Sequence, residues 1–310
     1  MEDRTADSLV EEREELMVPP GAGNPTFRKA HFLKPILSKD PLDLPPLPSP
    51  ILSSKLSLQN AEKSILICFK SSPSEKWKLW VKNMKPGYQK IWKKSGIYHA
   101  IMASTYSVPG DKMLILDIAE FWCCDTNTFM FPWGEVTITL EDMMHLGCLS
   151  VLGSSVFTPL NDESVVVFDC LMSGVKDIRC ANGNMTPCKW MEHFMTSCDY
   201  VEHEAFLVFW LSKFVFPRTQ IVIQDINVAI HLSRGNRIAL APVVLACIYR
   251  DMTVLHDSIV KSVGSKSRNC LKFTAWHYDL VQMWVWERFV GFRPFTNVID
   301  REEPRSARWN

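Results

Sequence analysis

The sequence predicts a mainly α fold: a multi-helix globular domain with a small β-hairpin and minor short strands. Three observations carry that expectation. Apolar residues recur at helical spacing in separate stretches, beginning with Trp77, Trp80, Val81 and Met84. β-Formers alternate only briefly, over 128–131 and 135–138, on either side of Pro132, Trp133 and Gly134, as in two short strands joined by a tight turn. The second strand runs directly into a helix start, where Thr139 caps and Asp142 reaches back to the capping amide; Gly147 supplies the stop.

Composition bounds the rest. With 310 residues, 47% of them hydrophobic and with 11 Trp and 17 Phe among them, the chain has the apolar area for a sizeable core in one large domain or two small ones. Lys and Arg (34) balance Asp and Glu (34), which removes any global electrostatic argument for binding nucleic acid, an anionic membrane or an acidic substrate, and leaves only a local basic face. No apolar run approaches the roughly 20 residues that cross a bilayer. Glu11, Glu12, Glu14 and Glu15 make the N-terminus acidic where a secretory signal is basic and then greasy, so the chain is expected to be soluble, not secreted and without a membrane partner. The ten cysteines include no C-x-x-C pair, and most sit in apolar stretches as reduced, structural thiols. Cys188, His193, Cys198 and His203 do not match the intervals of zinc ligand pairs, so no metal and no cofactor is expected.

In chain order, residues 1–60 read as a disordered tail, acidic and then Pro-rich, with Pro35, Pro41, Pro45, Pro46, Pro48 and Pro50 favouring extended, solvated backbone. Pro45-Pro46-Leu47-Pro48 suits either a mobile linker or an aromatic groove on a partner. The folded domain is expected over 61–294. Between Lys76 and Lys94 the chain is basic and aromatic at once. Trp77, Trp80, Val81 and Met84 keep helical spacing, and Tyr88, Ile91 and Trp92 repeat it after a break at Pro86-Gly87, so the aromatics should face a core. That leaves a solvated lysine face, of which Lys78, Lys82, Lys85, Lys93 and Lys94 are candidate phosphate contacts. Two helices follow over 97–124, split at Val108, Pro109 and Gly110, with Leu114, Ile118, Phe121 and Trp122 as the second buried stripe.

Residues 161–189 lose periodicity and read as a variable insertion, with a short strand at 165–168 and punctuation at Gly174, Gly183 and Pro187. Residues 203–216 are apolar almost all round, as in a central buried helix ending at Pro217. A brief strand at 220–223 precedes a helix over 226–234, capped by Asp225 and ended by Gly235. Pro242 fits the first turn of a helix over 243–255. The last helix, over 271–289, carries Phe273, Trp276, Leu280, Met283 and Trp284 on one face, and 295–310 reads as a C-terminal tail.

Catalytic constellations fail on spacing. His203-Glu204 begins like a zinc-protease helix, yet Leu207 stands where the second histidine belongs. Residues 263–267 lack the glycine directly before the lysine of a phosphate loop, and 153–157 lack the closing glycine of a nucleophile elbow. Asp117, Asp125, Glu135, Glu141 and Asp142 are close in sequence, but carboxylates in this density read as caps and surface charges and not as a two-metal site. Arg234 and Arg237 flank Gly235, and Arg250, Asp251, Glu287 and Arg288 follow. Arg250 and Arg288 read as structural partners of carboxylates such as Asp251 or Glu287, or of helix-terminal carbonyls, and Arg234 and Arg237 as the candidate anion or nucleic-acid contact.

Five ordered blocks, over 77–102, 118–157, 202–217, 231–252 and 280–289, together resemble the plant mobile domain, and 27–35 extends the similarity upstream. That family is also labelled aminotransferase-like and is related to transposon-encoded proteins. The resemblance implies a noncatalytic nuclear module linked to gene or transposon silencing and to development, with nuclear or chromatin-associated protein partners, phosphatase-like ones among them. The alternative is a transposon-derived nucleic-acid-binding protein that uses the Lys76 to Lys94 face. Aminotransferase chemistry needs a lysine for the cofactor imine and a phosphate cradle. Lys213 is the only lysine in the central apolar stretch, and no glycine-rich cradle lies near it, so no enzyme activity is expected. Family members commonly run past residue 310, so the chain is also expected to be a short or truncated member.

Overall fold

The computed structural model describes residues 10–17, 24, 26–33, 65–67, 69, 72–131, 134–195, 200–264, 271–273, 277–300 and 302–310. The Pro-rich segment, the Pro132-Trp133 turn, Cys198, residues 265–267 and Trp276 lie outside them.

The expected disorder of residues 1–60 fails over two spans. Strands β1 (Val10–Met17) and β2 (Thr26–Leu33) form an antiparallel pair. Their sequences are too charged to show an apolar alternation, and charge is what matches them. Glu12 Oε1 lies 3.1 Å from His31 Nε2, Glu12 Oε2 3.6 Å from Lys29, and the Arg13 guanidinium sits 4.0 Å from the centre of the Phe32 ring. A third strand, β3 (Ile65–Ile67), precedes the helical body.

Helix α1 (Glu75–Ser95) starts where the Ser74 hydroxyl accepts the Trp77 amide at 3.2 Å and stops at Gly96, whose φ of 76° is left-handed. It runs straight through the expected break. Pro86 lacks the amide that would bond the Lys82 carbonyl, and both residues are exposed, on the side of the helix where water replaces that bond at least cost. The aromatics do face the core. Trp77 stacks on Phe206 at 4.8 Å, and the indoles of Trp80 and Trp92 donate to Glu202 at 2.8 Å and to His203 Nε2 at 3.0 Å.

Helices α2 (Tyr98–Ala103) and α3 (Lys112–Ala119) flank the Val108 to Gly110 split as expected. Trp122 belongs to a strand, β4 (Trp122–Cys123), and not to the preceding helix. β5 (Thr128–Phe131) and β6 (Gly134–Val136) form the hairpin legible in the sequence, and β2 adds in parallel through His31 and Val136. The sheet order is β1-β2-β6-β5-β4. Helix α4 (Leu140–Leu146) carries the expected capping box: Thr139 accepts the Asp142 amide at 3.3 Å, and Asp142 accepts the Thr139 amide at 2.8 Å.

The expected insertion is helical. A 3-10 turn (Asp162–Ser164) leads into α5 (Val165–Asn182), and the run of Val165, Val166 and Val167 that suggested a strand is its first turn. An apolar run this short does not distinguish the two. Leu171, Val175 and Ile178 form its buried stripe, and Gly174 admits Phe194 of α6 (Pro187–Met195), which stands 2.4 Å from where a Cβ would be. Helix α7 (Glu202–Trp210), the central apolar segment, continues as a π-turn (Leu211–Val215) in which the Phe216 amide donates to Leu211 O at 2.7 Å.

Residues 220–222 form no strand, and α8 begins earlier than expected (Ile223–Ser233), so Asp225 sits in its first turn and does not cap it. Helix α9 (Leu240–Gly264) outlasts its expected length. β7 (Leu271–Phe273) pairs in parallel with β3 where a helix start was expected, and α10 (Tyr278–Arg288) is buried at every position except the half-buried Asp279. The end of the expected C-terminal tail is packed, although 295–298 are exposed. A 3-10 turn (Arg305–Trp309) puts Trp309 5.1 Å from Trp286, with the guanidinium groups of Arg305 and Arg308 3.0 and 3.6 Å from the buried Glu287 carboxylate.

Candidate functional site

Two open surfaces meet at the C-terminal end of α1. The first is a groove of about 1320 Å³ between α4, the loop after it and the 296–308 segment. Local chemistry fixes each wall. The Thr139–Asp142 box starts α4, whose Met144 is 46% exposed toward the groove. The following loop is stitched to the α8–α9 connection: the Ser154 amide donates to Arg237 O at 2.8 Å, Ala239 N to Ser154 O at 2.9 Å, and Ala241 N to Ser150 O at 3.0 Å. Gly153, at φ 146°, has to be glycine here, since a Cβ would lie 2.5 Å from the Arg237 carbonyl oxygen. The Ser150 hydroxyl donates to Gly96 O at 3.2 Å and joins the loop to the end of α1. Across the groove, Asn297 N donates to Arg308 O at 2.9 Å, and the Asp300 amide to Glu303 at 3.0 Å, which hold Val298 out in solvent at 86% exposure.

The lining mixes apolar Met144, Leu152 and Val298 with His99, His145 and Arg237 and with Glu141 and Glu303. Burial pushes the Cys148 thiol at its floor up to about 11, so that thiol stays protonated and unreactive at neutral pH. A second cavity, about 60 Å³ and lined by Ser104, Trp210, His277 and Met283 among others, is far below the roughly 300–1,000 Å³ of pockets that hold cofactors and substrates.

The second surface is basic. Lys94 packs over Gly235, with its Cδ 2.8 Å from the position of a Cβ there, and Arg237 Nε lies 3.2 Å from the same position on Gly96. Lys94 thus lies against the α8–α9 connection and Arg237 against the end of α1, although the two residues are 143 positions apart. Arg234, also exposed, donates to Glu163 O at 3.4 Å. The rest of the lysine face is partly engaged. Lys78 pairs with Glu75 at 2.9 Å and Lys76 with Glu192 at 3.1 Å, and Lys85 and Lys93 lie 5.6 and 5.1 Å from the Tyr98 ring centre. Lys82 is exposed farther along the helix.

Three of the acidic residues considered for a two-metal site are separately employed. Glu135 accepts the Thr128 hydroxyl at 2.6 Å and pairs with Arg28 at 3.1 Å, Glu141 lies 3.8 Å from His145, and Asp142 holds the capping box. Asp117 is half-buried, and burial followed by the nearby Asp111 charge raises its carboxyl. Arg250 pairs with Asp251 at 2.7 Å as expected, but Arg288 pairs with Asp142, and Glu287 turns to Arg305 and Arg308. Neighbours on a helix point about 100° apart, so Glu287 and Arg288 address different partners. His203 is a buried acceptor for Trp92, its imidazole lowered to about 3 by burial. Sequence reasoning missed the groove, because its walls come from distant segments, and also a Cys124, His256 and Asp257 cluster.

A family model described as Plant mobile domain matches residues 96–310. Three Arabidopsis thaliana proteins are similar to the chain. MAIN-LIKE 2 is 26% identical over 167 residues, covering 51% of this chain and 24% of that protein. MAINTENANCE OF MERISTEMS is 28% identical over 122 residues, covering 36% and 26%. MAIN-LIKE 1 is 24% identical over 183 residues, covering 53% and 35%. The matched stretches thus span about a quarter to a third of the length of these relatives. No solved structure matches the chain.

Proposed function

The chain belongs to the plant mobile domain family, and from that premise we propose that it is a noncatalytic protein-interaction module that works in the nucleus, in gene or transposon silencing and in development. The observation that carries this reading is the groove: about 1320 Å³, open, and lined by exposed apolar side chains together with charged ones. Protein interfaces likewise mix apolar and charged side chains, and the volume exceeds a small-molecule pocket. The name of the relative MAINTENANCE OF MERISTEMS supports the developmental part. The family's kinship with transposon-encoded proteins supports the silencing part. Nuclear or chromatin-associated proteins, phosphatase-like ones included, are the partner class.

The test is capture of partners from plant nuclear extract before and after nuclease, with the wild-type chain and with a Leu152→Asp/Val298→Asp variant. Both side chains are exposed, so the variant should fold with an unchanged melting temperature. Partners that survive nuclease and are lost with the variant support the proposal. Partners that ignore the variant, or that all vanish on nuclease treatment, overturn it.

A second reading, direct nucleic-acid binding, is favoured by one observation, the placement of Lys94 on Gly235 and of Arg237 on Gly96, where the end of α1 meets the α8–α9 connection. Lys94→Glu/Arg237→Glu would then weaken DNA or RNA binding and flatten its salt dependence, by about one unit of log–log slope for each lost contact. Equal affinity and equal slope at two salt concentrations would remove it.

A further inference from the structure

Away from both surfaces, three metal-ligating side chains converge at the outer edge of the sheet. Cys124 directly follows β4, the last strand in the sheet order, and His256 and Asp257 lie on α9, 132 and 133 positions away in sequence. Cys124 Sγ stands 3.5 Å from His256 Nδ1 and 4.0 Å from Asp257 Oδ1, and the three ligand atoms all lie within 4.8 Å of one another. We propose that Cys124, His256 and Asp257 bind one zinc-class divalent ion through sulfur, nitrogen and oxygen, with water in the fourth position, and that the ion clamps the edge strand to α9.

Bond lengths set the first test of fit. Tetrahedral zinc, with bonds of about 2.3 Å to sulfur and about 2.0–2.2 Å to nitrogen and oxygen, puts its ligand atoms roughly 3.3–3.6 Å apart. The sulfur–nitrogen distance already meets that value. The sulfur–oxygen distance needs to close by about 0.4 Å, within the rotamer freedom of the exposed Asp257 side chain. The donor set also selects the ion: thiolate with imidazole suits zinc and its soft neighbours, whereas magnesium and calcium take oxygen ligands.

The backbones beneath the ligands are held in place. Buried Trp122 donates its indole N–H to the Thr253 hydroxyl at 3.0 Å. Thr253 lies three and four residues before His256 and Asp257, on the same face of α9. The adjoining strand is fixed by the Cys123–Thr128 pairing. The groups whose charge acts on the Cys124 sulfur, Asp257 first, then Cys123 and Asp125, are all negative when ionised, which favours a cation among them. Partial exposure of Cys124 and His256 leaves a path for the ion. On binding, the Cys124 thiol releases its proton to solvent as the sulfur–metal bond forms.

The test uses the full, metal-free chain titrated with Co²⁺ alone and then with Zn²⁺. One equivalent of Co²⁺ should produce a sulfur-to-cobalt charge-transfer band, Zn²⁺ should abolish it, and Zn²⁺ should raise the melting temperature. Cys124→Ser should remove the band, and His256→Gln and Asp257→Asn should each weaken binding by roughly tenfold or more. The latter two sit at half-buried and exposed positions and serve as controls should the serine variant misfold. Absence of the band, or a band that persists in Cys124→Ser, overturns the proposal by placing any cobalt on another thiol or on none.

Discussion

Arg288→Met tests whether the capping box and the last helix form one electrostatic unit. Arg288 is fully buried, and its guanidinium pairs with Asp142, whose side chain is 2% exposed and also accepts the Thr139 amide at 2.8 Å. Methionine keeps the bulk of the arginine stem and removes the charge, so it strands a buried carboxylate. Breaking a buried pair in this way costs about 3–5 kcal/mol, a large part of the roughly 5–15 kcal/mol that holds a typical domain. Asp142→Asn in the same background keeps a capping oxygen and removes the stranded charge, so the double variant should recover about 2 kcal/mol or more of that loss. The pH dependence follows with its sign. Burial already raises the Asp142 carboxyl, with the Arg288 charge opposing it, and removing Arg288 raises it further. A raised carboxyl leaves stability intact below its unfolded value near 3.9 and takes it away as pH climbs through the folded value. Urea unfolding of Arg288→Met should therefore show a larger loss, relative to wild type, at pH 8 than at pH 5, and the double variant should not. A loss under about 1 kcal/mol, strict additivity, or the same loss at both pH values would refute the reasoning.

Three further outcomes follow. Burial lowers the His203 imidazole to about 3, so its neutral form contributes stability that is present above about pH 6.5 and lost as pH falls toward 3; at pH 5 the loss is about 2 kcal/mol, and His203→Gln should flatten that part of a stability–pH curve. Burial raises the Asp225 carboxyl to about 7, and neither oxygen has a hydrogen-bond partner, although Arg218 Nε stands 3.7 Å away. The cost appears above pH 3.8 and grows toward 7, so Asp225→Asn should stabilise by on the order of 3–4 kcal/mol at pH 7 and by almost nothing near pH 4, read by urea unfolding; equal effects at both pH values would contradict this. Trp309→Ala empties the site against Trp286 at a cost of about 3–5 kcal/mol, and protease should then cut within 293–310 before the rest of the chain unfolds. An unchanged cleavage pattern would mean that the 3-10 turn does not hold the groove wall.

The parts of this fold legible in the sequence are those whose signal is local. The capping box at Thr139, the hairpin around Gly134 and the α1 stripe each depend on residues within a few positions of one another, and the structure contains all three. What escaped depends on partners far along the chain. Glu11 to Glu14 look solvated until the Arg28 to His31 strand lies beside them, and Val165 to Val167 look extended until Phe194 packs on the helix they begin. Leu271 to Phe273 continues an apolar pattern that suits a helix, and only the parallel pairing with Ile65 to Ile67 makes it a strand. The lysine face shows the same division. Its position on α1 follows from periodicity, but nothing local places Lys94 against Gly235 or turns Lys76 toward Glu192.

The two functional readings share a residue, and that residue decides how they are separated. Arg237 lines the groove and, through its contact with Gly96, also stands beside the basic end of α1. A charge change there would disturb a protein partner and a phosphate alike, so Arg237 alone discriminates nothing. Lys94 lies outside the groove lining, and Leu152 carries no charge. Loss of binding with Lys94→Glu alone therefore assigns the surface to an anion, since it removes a phosphate contact while leaving the apolar lining whole. Loss with Leu152→Asp alone assigns it to a protein, because an apolar anchor desolvated at an interface stabilises by burial and not by charge.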